Sequence, residues 1–300
     1  MENRIHGVAV DAGSGLAKVI KAARGVNARD DDLMTFKRAV LTELGGGAST
    51  VLLDAGLGPD LLADYPAGCA PMLAYEADVY HISDADRITV LPEHLSVADF
   101  KGLGVDQLKF FMYFAPDGDA ELNARKLDLV AKVGAECAVH DLTFLVEPLV
   151  YHALLVPGTH DYALAKPEMV RRATEAFSDP RIGAGVMKVE VPVDLDFVEG
   201  FGEAVMSRDD AITAIRAAAA AANRLPLVYL SAGVTFDRFA ASLRLAVDAG
   251  VDFSGFMCGR AIWSDVVPIF GANGEGALRQ WLRETGRARL DSLIAIIEAR

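Results

Sequence analysis

The sequence predicts an α/β fold in which eight parallel strands alternate with helices and close into one barrel spanning residues 1–300. Eight short apolar runs recur along the chain, as expected for strands buried on both faces. Longer amphipathic stretches separate these runs, and glycines follow several of them. The predicted strands cover residues 7–11, 50–54, 72–76, 107–113, 143–149, 186–191, 227–231 and 253–258.

A doubly wound open sheet is the alternative architecture. Such a sheet carries a GxGxxG turn after its first strand. The nearest match is Asp11-Ala12-Gly13-Ser14-Gly15, which lacks the third glycine at the required spacing. A closed barrel is therefore favoured, and it places functional residues at the carboxyl ends of its strands.

Helical patterns fill the intervals between the strands. Asp30, Asp31 and Asp32 are expected to cap one helix, which glycines 45–47 would end. Thr235 is expected to start another that ends near Gly250. The final helix shows an apolar stripe formed by Leu290, Leu293, Ile294 and Ile297.

Composition excludes several classes of partner. The formal net charge of −13 argues against nucleic acid and against an anionic membrane surface. No apolar stretch is long enough to cross a bilayer, and residues 1–6 show no signal-peptide pattern. The three cysteines form no CxxC pair. We therefore expect a cytoplasmic protein that acts on a small molecule, and the pattern leaves open whether it forms a homo-oligomer.

Lys188 is an unusual residue for the sixth predicted strand. It lies in the apolar run Val186-Met187-Lys188-Val189, where burial disfavours the ammonium form. A lysine that is neutral part of the time is a nucleophile toward ketones and aldehydes. The competing interpretation is a strand-end lysine that reaches solvent.

Two further charged residues are expected beside Lys188. Lys109 lies on the fourth predicted strand and Glu147 on the fifth, so a closed barrel makes the three neighbours. The second ammonium would disfavour protonation of Lys188, and Glu147 could exchange protons. A salt-bridged network that only closes the barrel is the alternative.

Two glycine-containing turns follow the seventh and eighth predicted strands. Ser231 and Gly233 lie in the first turn, and Gly259 and Arg260 in the second. Backbone N–H groups of such turns bind phosphate, and barrels often hold a phosphate at this position. Arg260 would add charge-assisted hydrogen bonds. The alternative is that the glycines serve turn geometry alone.

No metal or cofactor is expected. The six histidines show no HxxH or HExxH spacing, and no cysteine accompanies them. A serine hydrolase lacks support as well, because no GxSxG motif is present.

The chain resembles the class I tagatose-1,6-bisphosphate aldolases, in the group that also contains the sulfofructose-1-phosphate aldolases. The resemblance covers most of the chain and is densest after Leu108. Its motifs are Leu108-Lys109-Phe110, Phe144-Leu145-Val146-Glu147, Val186-Met187-Lys188-Val189-Glu190-Val191-Pro192-Val193, Val198-Glu199-Gly200-Phe201, Tyr229-Leu230-Ser231-Ala232-Gly233-Val234 and Cys258-Gly259-Arg260-Ala261-Ile262-Trp263.

The resemblance implies a TIM barrel with a Schiff-base lysine at Lys188, an acid/base glutamate at Glu147 and an assisting Lys109. It further implies phosphate binding by Ser231, Gly233, Gly259 and Arg260, and substrate-site positions at Asp11 and Glu76. The implied reaction is cleavage of a ketose 1-phosphate, first of all tagatose 1,6-bisphosphate, to dihydroxyacetone phosphate and an aldehyde such as glyceraldehyde 3-phosphate.

Two departures concern the far end of the substrate. Gly13 stands where the family usually has an arginine, and Ala77-Asp78 stands where Lys-Thr is common. These changes put a 6-phosphate in doubt unless Lys18 or Arg24 substitutes. The group at C6 and the stereochemistry at C4 stay open, as do a sulfofructose 1-phosphate substrate, transaldolase-like transfer and a non-catalytic barrel that binds sugar phosphates.

Overall fold

Eight parallel strands form a closed barrel in the order β1 to β8. The computed structural model describes residues 4–299, apart from the side chain of Tyr80, so the first half of the N-terminal segment 1–6 lies outside the described residues. The strands are β1 Ile5–Ala9, β2 Thr50–Leu53, β3 Ala70–Ala74, β4 Gln107–Phe114, β5 Thr143–Val150, β6 Val186–Glu190, β7 Leu227–Leu230 and β8 Gly255–Cys258.

Helices connect these strands on the outside of the barrel. They are α1 Ser14–Arg24, α2 Asp30–Leu44, α3 Asp99–Gly102, α4 Ala120–Val139, α5 His160–Phe177, α6 Arg208–Ala221, α7 Phe236–Asp248, α8 Arg260–Trp263, α9 Val266–Trp281 and α10 Arg287–Glu298. In the part of the chain that the structure describes, no helix is both long and apolar enough to cross a membrane.

The prediction of an eight-stranded parallel barrel is confirmed, and the open sheet is excluded. Several strands end earlier than predicted, because their polar last residues leave the hydrogen-bonded ladder. Asp11, Asp54, Glu76 and Ser231 therefore lie just beyond the ends of β1, β2, β3 and β7.

The predicted cap of α2 was wrong in one respect. Arg29 is the N-cap residue, whereas the three aspartates form the first turn. The Asp32 carboxylate accepts a hydrogen bond from the Arg29 backbone N–H at 2.9 Å. The aspartates thus stabilise the positive end of the helix from inside it. Thr235 caps α7 as predicted, since its side chain accepts from the Arg238 N–H.

A layer of apolar side chains fills the barrel interior. Its members are Ala9, Leu52, Met72, Ala74, Leu145, Val186, Val228 and Met257. Gly7 makes room for Met257, because a Cβ at Gly7 would lie 2.8 Å from Met257 Cγ. Side chains two residues apart share one face of a strand. The inward positions above this layer are therefore Asp11, Asp54, Glu76, Glu147 and Lys188, and they form the floor of the barrel mouth.

Candidate active site

Lys109 lies at the centre of a buried cluster of charges. Its Nζ is 3.1 Å from Asp11 Oδ2 and 2.9 Å from Glu147 Oε2, and it also contacts Glu76 Oε1. Only 3% of the Lys109 side chain is exposed. Lys109 of β4 therefore contacts three carboxylates: Asp11 after β1, Glu76 after β3 and Glu147 on β5.

Lys188 joins this cluster through Glu147. Lys188 Nζ lies 3.0 Å from Glu147 Oε2, the same oxygen that contacts Lys109. The strand register explains the contact, because Leu145 pairs with Val186 and the next inward residues are Glu147 and Lys188. The predicted trio of Lys109, Glu147 and Lys188 is therefore brought together.

The charges in the cluster are strongly coupled. Burial lowers the pKa of Lys109, but Glu147, Glu76 and Asp11 outweigh it and raise that pKa well above its usual range. Burial raises the pKa of Asp11, but the two lysines reverse this and hold it far below its usual range. Burial raises the pKa of Glu76 to about 7, although Lys109 opposes the shift. Lys109 is therefore a permanent cation, and Glu76 changes charge near neutral pH.

The contacts of Lys109 indicate a second role beside the one expected from the sequence, in which its charge disfavours protonation of Lys188. Three carboxylates surround Lys109 and compensate much of its charge. What Lys109 does more directly is to hold Glu147 in place beside Lys188.

Four lysines are buried among the described residues, and their contacts differ. Lys37 donates to the carbonyl oxygens of Val10 and Ala12 and pairs with Asp54. Lys126 lies on α4, outside the barrel, and contacts the Tyr151 hydroxyl at 3.1 Å. Within the barrel, Lys109 has three carboxylate contacts and Lys188 has one, which it shares. Lys188 is thus the less neutralised of the two barrel lysines.

The turns after β7 and β8 meet at the barrel mouth. Ser231 is buried, and the next residues Ala232 and Gly233 have φ angles of 49° and 81°. A Cβ at Gly233 would lie 2.9 Å from Arg260 Cζ, so the guanidinium packs directly against this glycine. A Cβ at Gly259 would lie 2.1 Å from the Ala9 carbonyl oxygen. Close packing therefore requires glycine at position 259, whereas positive φ favours it at position 233, where Arg260 lies beside the β7 turn.

A cavity of about 1100 Å³ opens over the ends of β1, β2 and β3. Asp11, Glu76 and Arg260 line it, whereas Lys188 and Glu147 are not among its lining residues. The cavity and the charge cluster are therefore adjacent, because the carboxylates of Asp11 and Glu76 line the cavity and also contact Lys109.

The family of the chain follows from comparison with known proteins. The model of the DeoC/LacD family aldolases matches residues 6–265. The chain belongs to the DeoC/LacD aldolase family. It is therefore an aldolase, a lyase that breaks a carbon–carbon bond next to a hydroxyl-bearing carbon.

Curated relatives of this aldolase span nearly the whole chain. A Listeria monocytogenes protein named tagatose 1,6-diphosphate aldolase is 35% identical over 297 residues, covering 98% of this chain and 87% of that protein. Tagatose 1,6-diphosphate aldolase 2 of Enterococcus faecalis is 38% identical over 303 residues, covering 99% and 90%.

Solved aldolase structures share the fold. Fructose-bisphosphate aldolase from Plasmodium falciparum superposes with a TM-score of 0.69 at 14% identity, covering 96% of this chain and 89% of that one. A Schiff-base-forming fructose-1,6-bisphosphate aldolase gives a TM-score of 0.61 at 15% identity, covering 97% and 94%. These similarities confirm the eight-stranded barrel fold.

The sequence interpretation of this aldolase missed two buried lysines. Lys37 lies on the buried stripe of α2, four residues after Leu33 and four before Leu41, so helical periodicity could have revealed it. Lys126 is fully buried on α4, and burial lowers its pKa to about 8. Lys126 also lies on a buried stripe, four residues before Val130 and seven before Val133, so the same periodicity could have revealed its burial, although not its partner Tyr151.

Proposed function

We propose that this aldolase cleaves a ketose 1-phosphate through an imine on Lys188. The observation that carries the proposal is the buried contact of 3.0 Å between Lys188 Nζ and Glu147 Oε2. Two curated relatives are named tagatose 1,6-diphosphate aldolase, and one protein of the same fold is described as Schiff-base forming. Tagatose 1,6-bisphosphate is therefore the first substrate to assay, with dihydroxyacetone phosphate and glyceraldehyde 3-phosphate as products.

The reaction begins with a proton transfer inside the buried pair. Lys188 gives a proton to Glu147, and the neutral amine attacks the C2 carbonyl of the substrate. Glu147 returns that proton to the oxygen of the adduct and then carries a second proton from the amine nitrogen to the same oxygen, which leaves as water and generates a protonated imine. Lys109 keeps the Glu147 carboxylate beside the amine throughout, because both lysines contact the same oxygen.

The protonated imine then acts as the electron sink. Glu147 removes the C4 hydroxyl proton, the C3–C4 bond breaks, and the electron pair of that bond moves into the imine to form an enamine. The aldehyde leaves first. Protonation of the enamine at C3 and addition of water then release dihydroxyacetone phosphate and regenerate Lys188. No metal is needed as an electron sink, because the iminium has that role.

The phosphate at C1 would fix the ketone beside Lys188. Ser231, Gly233, Gly259 and Arg260 are the residues proposed to hold it, since the Arg260 guanidinium packs against Gly233 at the junction of two turns. Charge-assisted hydrogen bonds from Arg260 and turn N–H groups suit a phosphate monoester. Such positioning can lower the activation barrier by several kcal/mol.

Borohydride trapping tests the proposed imine. Incubation with tagatose 1,6-bisphosphate or dihydroxyacetone phosphate followed by borohydride is expected to attach a three-carbon adduct to Lys188, located by peptide mass spectrometry. EDTA should leave the cleavage rate unchanged. An active enzyme that gives no adduct, or an adduct on another lysine, would overturn the assignment.

Replacing Gly233 by alanine tests the phosphate site. The new methyl group would meet the Arg260 guanidinium, so we expect KM for a ketose 1-phosphate to rise by about tenfold or more. Gly250→Ala is the matched control, because Gly250 also has positive φ, 67°, but has no atom within 4 Å of the added Cβ. Both variants should lose about 1 kcal/mol of stability, and only Gly233→Ala should raise KM. Equal KM values in the two variants would contradict a phosphate at this turn.

A further inference from the structure

The cavity over β1, β2 and β3 has a strongly acidic lining. It adjoins the catalytic cluster through Asp11 and Glu76, so it is the space into which the far end of a bound ketose can extend. Six carboxylate side chains line it: Asp11, Asp30, Asp54, Glu76, Asp78 and Glu93. Arg260 and two histidines, His81 and His94, also line it. The Arg260 guanidinium packs against Gly233, where the proposed function uses it for the phosphate at C1.

Asp78 occupies the place where an anion would bind at this end. Ser14 begins α1, and its backbone N–H donates to Asp78 Oδ2 at 2.8 Å. The Ser14 hydroxyl bonds the other carboxylate oxygen. A helix N-terminus of this kind is a ready site for a phosphate. Here the Asp78 carboxylate occupies this site. The same contact explains the glycine at position 13, because a Cβ there would lie 2.3 Å from Asp78 Oδ2.

Nearby cations do not compensate for these carboxylates. Lys37 lies beneath the cavity, where two backbone carbonyls and Asp54 bind its ammonium group. Arg24 pairs with Asp32 at 2.8 Å. Neither Lys18 nor Arg24 is among the cavity-lining residues, so the substitutes considered from the sequence do not reach this space.

One carboxyl oxygen of Glu76, a residue that lines the cavity, lacks a hydrogen-bond partner among residues 4–299. This oxygen, Oε2, is buried. The other oxygen of the same carboxyl group contacts Lys109. A buried carboxyl oxygen without a partner is costly, and a sugar hydroxyl can supply the missing hydrogen bond once the carboxyl group rotates to face the cavity. Because burial raises the pKa of Glu76 to about 7, this group can accept or donate near neutral pH.

We propose that this cavity is a distal subsite for an uncharged, hydroxyl-bearing end of the ketose 1-phosphate, and that it disfavours a phosphate or sulfonate at C6. The inference rests on the proposed function and narrows its substrate class. A phosphate monoester carries nearly two negative charges at neutral pH and would lie among these carboxylates, where Asp78 already occupies the N-terminus of α1. A C6 hydroxyl brings no such repulsion and satisfies Glu76.

The condensation direction isolates this end of the substrate. Dihydroxyacetone phosphate is kept as the donor, and the acceptor is either D-glyceraldehyde or D-glyceraldehyde 3-phosphate, so only the distal charge changes. We expect kcat/KM for glyceraldehyde to exceed that for the phosphorylated acceptor by about tenfold or more. Asp78→Asn should reduce this preference by about tenfold, because it removes a full charge beside Ser14.

Two further variants make the experiment decisive. Asp99→Asn is the matched control, because Asp99 also accepts from a serine N–H and hydroxyl, those of Ser96, but does not line the cavity. It should leave the acceptor preference at the wild-type value. Glu93→Gln removes an exposed charge from the cavity wall and should shift the preference in the same direction as Asp78→Asn, even if the latter folds poorly.

The possible outcomes separate this inference from the proposed function. A dihydroxyacetone phosphate adduct on Lys188 combined with a wild-type preference for the phosphorylated acceptor would overturn the distal subsite alone. The same holds if the preference is unchanged in both Asp78→Asn and Glu93→Gln. Absence of any adduct and of any condensation would overturn the proposed function and the inference with it.

Discussion

Replacing Lys188 by alanine is expected to lower kcat by about 10⁴-fold or more, because the covalent step loses its nucleophile. The neighbouring Glu147 keeps its contact with Lys109 at 2.9 Å, so the variant should fold. Initial cleavage rates with tagatose 1,6-bisphosphate or the corresponding 1-phosphate measure the effect. Thermal unfolding and circular dichroism establish that the barrel is intact.

Lys126 provides the control for this variant. It is the chemically credible rival nucleophile, since it is fully buried and burial lowers its pKa to about 8. Its ammonium contacts Tyr151 on the outside of the barrel and has no part in the charge cluster. Lys126→Met removes the same buried charge and should leave kcat near the wild-type value. A folded Lys188→Ala enzyme with normal turnover would require another nucleophile, and loss of turnover in Lys126→Met would identify it.

The barrel was predictable because its strands are buried on both faces. Each strand therefore reads as a continuous apolar run, and eight such runs separated by helices allow few topologies. The strand ends were less predictable. Asp11, Asp54 and Glu76 continue the alternation of inward-facing side chains but lie beyond the hydrogen-bonded strands. The alternation can be read from the sequence, whereas the last hydrogen bond of each strand cannot.

Residues of the candidate site could be predicted where a charged side chain interrupts an apolar strand. Lys188 and Glu147 are charges within apolar strands, and this marks them in the sequence. The contact between Ser14 and Asp78 spans 64 positions, and neither residue is unusual in its own segment. The sequence could therefore show that the expected cations are missing at positions 13 and 77. It could not show that a carboxylate fills the helix N-terminus.

Replacing Lys109 by methionine is expected to destabilise the protein by about 3–5 kcal/mol at neutral pH, because it leaves Asp11, Glu76 and Glu147 buried without their shared cation. Urea unfolding followed by circular dichroism measures this loss. The cleavage rate should fall as well, since Glu147 is no longer held beside Lys188. Lys101→Met is the control, because Lys101 pairs with Asp106 at the surface and its removal should leave the free energy of unfolding near the wild-type value.

The pH dependence of this loss distinguishes a buried charge cluster from a change in packing. Without the cation, the folded-state pKa of Asp11 would rise above its unfolded value, and that of Glu76, already raised by burial, would rise further. Groups with raised folded-state pKa values stabilise the protein at low pH and lose that contribution as the pH rises through those values. The deficit of Lys109→Met should therefore grow between pH 5 and pH 8. A deficit of the same size at both values would mean that Lys109 contributes through its packed methylene chain. The carboxylates at the barrel mouth would then be solvated well enough to need no cation.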